Sequence, residues 1–251
     1  HDRATRQAVV VDPVWDFDAA SGRTATVQAQ RVVDYLLGEK LQLRWVLETH
    51  AHADHLSAAQ WLRAQVAAGS GHAMAPVAIG QKITQVQKVF GRLYGLEGEI
   101  APQAADFDCL LAHGDVLQLG ATTIRAISVP GHTPADVAYV VGTGNEPTQA
   151  AIFVGDTLFM PDVGTARCDF PGGDARQLYR SIRQLLAFAP QTPLYVCHDY
   201  PPPGREPCWQ SSVAEQRASN IHVRDGISED EFVAMRQARD AGLDLPRLML
   251  P

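Results

Sequence analysis

The segment Thr49-His50-Ala51-His52-Ala53-Asp54-His55 places four potential metal ligands within six residues. It follows an apolar run, Leu43-Arg44-Trp45-Val46-Leu47, that reads as a buried strand. In extended backbone a His-x-His pair turns both rings to one side, because side chains alternate with a period of two. Asp54 and His55 then stand where the helix-forming run Leu56-Ser57-Ala58-Ala59-Gln60-Trp61-Leu62 begins. Imidazole and carboxylate are ligands for zinc, iron or manganese.

The arrangement recurs. Ile124 to Val129 runs into Pro130-Gly131-His132, Ala151 to Val154 into Gly155-Asp156, and Leu194 to Cys197 into His198-Asp199. Each short apolar run ends at a turn that carries a candidate ligand. In a layered α/β protein the strand ends along one sheet edge converge, and sites are built there. His50, His52, Asp54, His55, His132, Asp156 and His198 are therefore expected to meet at one point.

Composition narrows the function classes. With 46% hydrophobic and 20% charged residues, 251 residues make a soluble globular chain with a large core. A formal net charge of −7 argues against a nucleic-acid-binding surface, which is normally basic. No apolar run reaches the roughly 18 residues of a membrane helix, so no membrane partner is expected. No signal-peptide pattern opens the chain, and His1 points to a processed or cropped N-terminus. Cys109, Cys168, Cys197 and Cys208 show no CxxC spacing and read as reduced thiols of a cytoplasmic protein.

Along the chain, strands are expected at Ala8 to Asp12, 43–48 and 76–79, with turn-like sequence from Pro13 to Gly22. Helices are expected at Thr26 to Leu37, from the ligand loop to about Ala68, and through Val86, Val89, Phe90 and Leu93. Residues 95–107 are irregular, and Asn145-Glu146-Pro147 reads as a surface turn. Val116 to Leu119, Thr122 to Val129 and Val137 to Val141 alternate as consecutive strands. Asp174 is a candidate N-cap for a helix whose apolar face is Leu178, Ile182, Leu185 and Leu186. Pro201-Pro202-Pro203-Gly204 makes a rigid loop after His198, and Ser228-x-x-Glu231 is a capping box for a last helix. The expectation is one α/β domain over residues 1–251, an αββα sandwich of two mixed β-sheets flanked by helices.

The order His-x-His-x-Asp-His, then single His, Asp and His residues, resembles the metallo-β-lactamase superfamily. The stretches 47–59, 83–91, 155–162 and 164–173, and Cys197-His198-Asp199-Tyr200, are similar to the glyoxalase-II-like persulfide dioxygenases (sulfur dioxygenases). The resemblance implies the metallo-β-lactamase fold, with a first family strand absent ahead of Ala8 to Asp12. Two site chemistries are implied. In hydrolase members two zinc ions are held, one by His50, His52 and His132 and the other by Asp54, His55 and His198, with Asp156 bridging. In the dioxygenases one Fe(II) is held by His50, His132 and Asp156, a two-His, one-carboxylate face that leaves positions open for O₂. His52, Asp54, His55 and His198 then orient water and ligands. Ligand chemistry alone does not separate the two.

The implied partners are glutathione persulfide and O₂, and a homodimer is left open. Glutathione carries two carboxylates, so an acidic chain needs a local cation at the site; Arg167 is the candidate, against an ordinary loop salt bridge. Cys168 and Tyr200 are further substrate-contact candidates, against a buried inert thiol and a packed ring. Arg176, Arg180 and Arg183 read as a solvated helix face, His72, His113 and His222 as surface histidines, and Trp61 and Phe90 as core.

Overall fold

The computed structural model describes residues 1–18, 20–97, 99, 106–142 and 151–244. Strands β1 (Gln7–Val11), β2 (Val14–Asp18) and β3 (Arg23–Ala25) lead into helix α1 (Val27–Gly38). Strands β4 (Gln42–Leu47) and β5 (Leu56–Ser57) flank the histidine-rich turn, and α2 (Ala59–Ser70) follows. Next come β6 (Val77–Gly80), α3 (Ile83–Leu93), β7 (Cys109–Leu111), β8 (Val116–Leu119), β9 (Thr122–Ser128) and β10 (Val137–Gly142). Then follow β11 (Ala151–Phe153), α4 (Ala175–Leu185), β12 (Pro193–Tyr195), β13 (Gln210–Ser212), α5 (Val213–Ser219) and α6 (Glu229–Asp240).

Two sheets face each other. One has the order β1-β4-β6-β7 with every pairing parallel. The other runs β13-β12-β11-β10-β9-β8, antiparallel except for the parallel β11–β12 pair. A parallel sheet must be covered on both faces, and β6 is buried at all four positions. Leu47 and Ala78 of the first sheet pack against Ile124, Ala126 and Tyr139 of the second. On its outer face the first sheet buries Leu43 and Val46 against Val33, Leu36, Leu62 and Val66 of α1 and α2. The second buries Ile127, Ile152 and Leu194 against Leu178, Ile182 and Leu185 of α4 and Phe232 of α6. The layers are helix, sheet, sheet, helix, as expected.

Local sequence explains the helix ends. Asp174 accepts from the backbone N–H groups of Arg176 and Gln177, capping α4. Ser228 and Glu231 form the reciprocal capping box of α6. Edge strand β1 pairs with β4; Ala8 packs toward α1 while Val9 and Val11 face the other sheet.

Three expectations change. Pro13 to Gly22 is not all turn: Val14 to Asp18 forms β2, which pairs with β3 and β5. That pairing takes Leu56 and Ser57 into a strand, so α2 starts at Ala59 and the ligands at 52–55 lie in a turn ahead of it. Helix α5 opens with its own Ser212–Glu215 capping box, which the sequence reading passed over. Asn145-Glu146-Pro147 and residues 100–105 lie outside the described residues.

Candidate metal centre

The seven candidate ligands follow the ends of strands from both sheets: His50, His52, Asp54 and His55 after β4, His132 after β9, Asp156 after β11 and His198 after β12. Two bonds clamp the sheets together here. The Thr49 carbonyl accepts from the Val137 N–H at 2.9 Å, and the Tyr139 hydroxyl donates to the Glu48 carbonyl at 2.8 Å. The turns approach closely because glycine allows it. Gly131 has φ +150°, and a Cβ there would land on the backbone of Leu178. Gly155 has φ +56°, and a Cβ would press on the Thr49 side chain.

His50, His132 and Asp156 present donor atoms that all lie within 4.8 Å of one another. The Asp156 Oδ2 atom stands 3.8 Å from His50 Nε2 and 3.6 Å from His132 Nε2. In each ring the other nitrogen is engaged. Thr49 gives its hydroxyl proton to Asp12 Oδ2 at 2.8 Å, so it accepts from His50 Nδ1–H at 2.9 Å. His132 Nδ1–H donates to the Arg167 carbonyl at 2.8 Å. Both tautomers therefore turn an Nε2 lone pair toward Asp156, the outer-sphere bonding that fixes metal-ligating histidines. Burial, and then the neighbouring His52, His132, His198 and His55, push His50 well below the usual imidazole range, keeping it neutral.

His52, Asp54, His55 and His198 form a second cluster within the same 4.8 Å span. His198 Nε2 sits 3.3 Å from Asp54 Oδ2 and 3.6 Å from Asp156 Oδ1. Burial raises the Asp54 carboxyl, yet His55 and His198 outweigh it and hold Asp54 at about 2. The buried atoms Asp156 Oδ1, His198 Nε2 and His55 Nε2 lack hydrogen-bond partners. Orphaned buried donors and acceptors are costly, and a bound cation is what would satisfy this set. The residues thus fit a metal.

His52 stands outside the triad's set of donors, its ring centroid 4.1 Å from those of both His50 and His55 and both its nitrogens without a hydrogen-bond partner. Its Nε2 lies 3.3 Å from Asp12 Oδ1 and 3.5 Å from Glu48 Oε2. Burial disfavours charge on this ring, but Asp12 and Glu48 prevail and lift it to about 10. Burial in turn raises Glu48 to about 7, with Asp12 adding and His52 and Ser57 opposing. Asp12 also accepts from the Thr49 N–H at 2.7 Å and from the Cys197 thiol at 3.0 Å. Asp12 and Glu48 were not anticipated. The rule that found Asp156 reaches Asp12 as well, since Val9-Val10-Val11-Asp12 is an apolar run ending in an acid.

A cavity of about 730 Å³ opens over the triad, lined by Phe159, Phe170, Tyr200, Arg167, Arg236 and Arg239 among others. Tyr200 is in place, stacked on His198 at 5.8 Å and edge-on to Phe159. Arg167 reaches the wall, but its guanidinium is committed: it makes two 2.6 Å bonds to Asp169 and one to the Asp244 carbonyl. Its carbonyl, which orients His132, is the part that serves the site. Cys168 does not reach this cavity. It is buried against Asp240 and lines a different hollow, and burial pushes its thiol up, away from thiolate. His222 is not on the surface: it is 4% exposed and its Nδ1 accepts from the Thr165 N–H at 3.0 Å. Arg176 and Arg180 pair with Glu229, tying α4 to α6. All four cysteines are free. Among the described residues no helix is long and apolar enough to cross a membrane.

The sequence model described as "Metallo-beta-lactamase superfamily" matches residues 3–198. A Burkholderia pseudomallei protein named "Probable metallo-hydrolase" is 51% identical over 100% of this chain and 84% of its own length. "Persulfide dioxygenase ETHE1, mitochondrial" of Bos taurus is 31% identical over 98% of this chain and 76% of its own length. The crystal structure of ETHE1 from Myxococcus xanthus superimposes with a TM-score of 0.71 at 29% identity, covering 99% of this chain and 86% of that one.

Proposed function

The chain belongs to the metallo-beta-lactamase superfamily, and from that premise we propose that it is an Fe(II)-dependent persulfide dioxygenase acting on glutathione persulfide. One observation carries the reading. His50, His132 and Asp156 group as a set of donors of their own, while His52, which would complete the first zinc site of a hydrolase, stands outside that set with Asp12 and Glu48 carboxylates 3.3 Å and 3.5 Å from its Nε2. Likeness to the persulfide dioxygenases along the whole chain supports the same choice.

Iron bound by the three residues would supply a redox-active centre with open positions for O₂ and a sulfur ligand. The reaction balances as GSSH + O₂ + H₂O → GSH + H₂SO₃: the terminal sulfur gives up the four electrons that reduce one O₂. Thr49 and the Arg167 carbonyl keep His50 and His132 in the ligating tautomer. Phe159 and Phe170 supply apolar surface to the cavity wall, which would limit water at the reacting sulfur. His198 and Asp54, beside the triad, would hold the water that becomes part of sulfite.

The second cluster favours a second reading. Asp54, His55 and His198, beside Asp156 and with the metallo-hydrolase relative, would suit the second zinc of a dinuclear thioester hydrolase. The test is one sample assayed twice. Iron-loaded protein is expected to consume oxygen with glutathione persulfide, none with glutathione, and to leave S-lactoylglutathione intact. Rapid thioester cleavage without oxygen uptake would reverse the assignment.

A further inference from the structure

Part of the cavity wall is built by two loops that leave neighbouring strands. Phe159 and Val163 come from the loop after β11, His198 and Tyr200 from the loop after β12. Their rings meet: Tyr200 is edge-on to Phe159 at 5.5 Å and stacked on His198 at 5.8 Å. The strand ladder ends just before, where the Val154 N–H donates to the Tyr195 carbonyl at 3.0 Å. Beyond it, among the described residues, no backbone hydrogen bond joins residues 155–164 to 196–208. A side chain joins them instead. The Arg205 guanidinium donates to both Asp162 oxygens, at 2.6 and 3.1 Å, and to both Asp199 oxygens, at 2.6 and 2.7 Å. Asp162 stands three residues beyond Phe159, and Asp199 lies between His198 and Tyr200. Asp199 is buried at its side chain and also accepts from the Cys208 N–H at 2.7 Å. Pro201-Pro202-Pro203 stiffens the backbone between Asp199 and Arg205.

We propose that Arg205 is a positioning residue of the site: it ties the loop of His198 and Tyr200 to the loop of Phe159 and holds that wall in place beside the triad. The inference rests on the dioxygenase reading of the same cavity. A guanidinium fork serves two carboxylates at once, which the point charge of a lysine does not. Its Nη2 is shared between Asp162 Oδ1 and Asp199 Oδ1. Removing the arginine therefore does more than cut a link. Two like charges are left facing each other, and the loops are driven apart. Arg205 is 25% exposed, and ion pairs near solvent add little to global stability. The effect belongs to the cavity and not to folding.

The experiment compares iron-loaded full chains: wild type, Arg205→Ala, Arg205→Lys, Asp162→Ala and the Arg205→Ala, Asp162→Ala double variant. Arg205→Ala is expected to lower kcat/KM for glutathione persulfide about tenfold or more, the scale of a misplaced site. Iron content stays at the wild-type value, and Tm falls by no more than about 4 °C. Arg205→Lys recovers part of the loss. Added salt recovers part of it in the Ala variant, because it screens the two carboxylates; a merely structural loss does not respond to salt. Asp162 does not line the cavity, yet Asp162→Ala lowers kcat/KM too. The double variant is no worse than Arg205→Ala alone, since the clamp acts as one unit. Hydrogen exchange reads the same link without turnover: each single Ala substitution speeds exchange in both loops, residues 155–164 and 196–208. Exchange in 196–208 that Asp162→Ala leaves unchanged, or oxygen uptake that Arg205→Ala leaves unchanged, overturns the proposal. Wild-type uptake decides the other reading separately. Coupled loops without uptake keep the clamp and remove the dioxygenase, while uptake with uncoupled loops does the reverse.

Discussion

Single residues divide the site into metal holders and their supports. His50 and His132 meet Asp156 with their outer ring nitrogens already bonded, so each of the three is expected to be indispensable for metal. Replacing any one by Ala should strip most bound iron, whereas His198→Ala should retain it; metal analysis of the four variants reads this directly. Equal loss in His198→Ala would mean that the metal sits across both clusters. His222 supplies a pH signature away from the ligands. Burial, then Arg236 and Arg239, lower it to about 4 from an ordinary 6.5. The unfolded chain therefore takes up a proton below pH 6.5 that the fold refuses, and stability is lost as pH falls from about 6.5 toward 4. At pH 5 this group should cost about 2 kcal/mol relative to pH 7. His222→Asn, which keeps an acceptor for the Thr165 N–H, should flatten that part of the stability profile measured by urea unfolding. An unchanged profile would show that His222 titrates normally.

At the scale of elements, the cavity depends on α6. Its Phe232 is fully buried under α4 and the six-stranded sheet, and Arg236 and Asp240 face the loop that carries Arg167 and Cys168. Phe232→Ala is expected to destabilise the protein by about 3–5 kcal/mol, the usual cost of emptying an aromatic core position. A calorimetric Tm compared with wild type checks it, and a shift of a degree or less would place α6 outside the cooperative core. The element scale also shows why sequence reading succeeded where it did. The strand-then-ligand pattern marked seven residues that follow strands of both sheets, because hydrophobic alternation and a polar turn are local signals. β2 was missed because Pro13 and the polar residues after it obscure a short strand held by partners distant in sequence. The start of α2 moved for the same reason. The commitment of Arg167 to Asp169 and Asp244 and the approach of Asp12 to His52 are tertiary facts that no spacing records.

At the scale of the whole molecule, two sheets each covered by helices bring ligands from both halves of the chain to one edge. That architecture serves hydrolases and oxygenases alike, so the fold limits the chemistry without selecting it. Selection falls to the partition of donors between the triad and the second cluster. The central claim is that this site couples oxygen to persulfide sulfur, and the stoichiometry of the coupling tests it most directly. With the protein loaded with iron alone, and again with zinc alone, oxygen consumed and sulfite formed are measured together on glutathione persulfide. The iron protein is predicted to form one sulfite for each O₂ consumed, and the zinc protein to form none. Sulfite-free turnover in the iron protein, or a zinc protein that is the active one, would contradict the account.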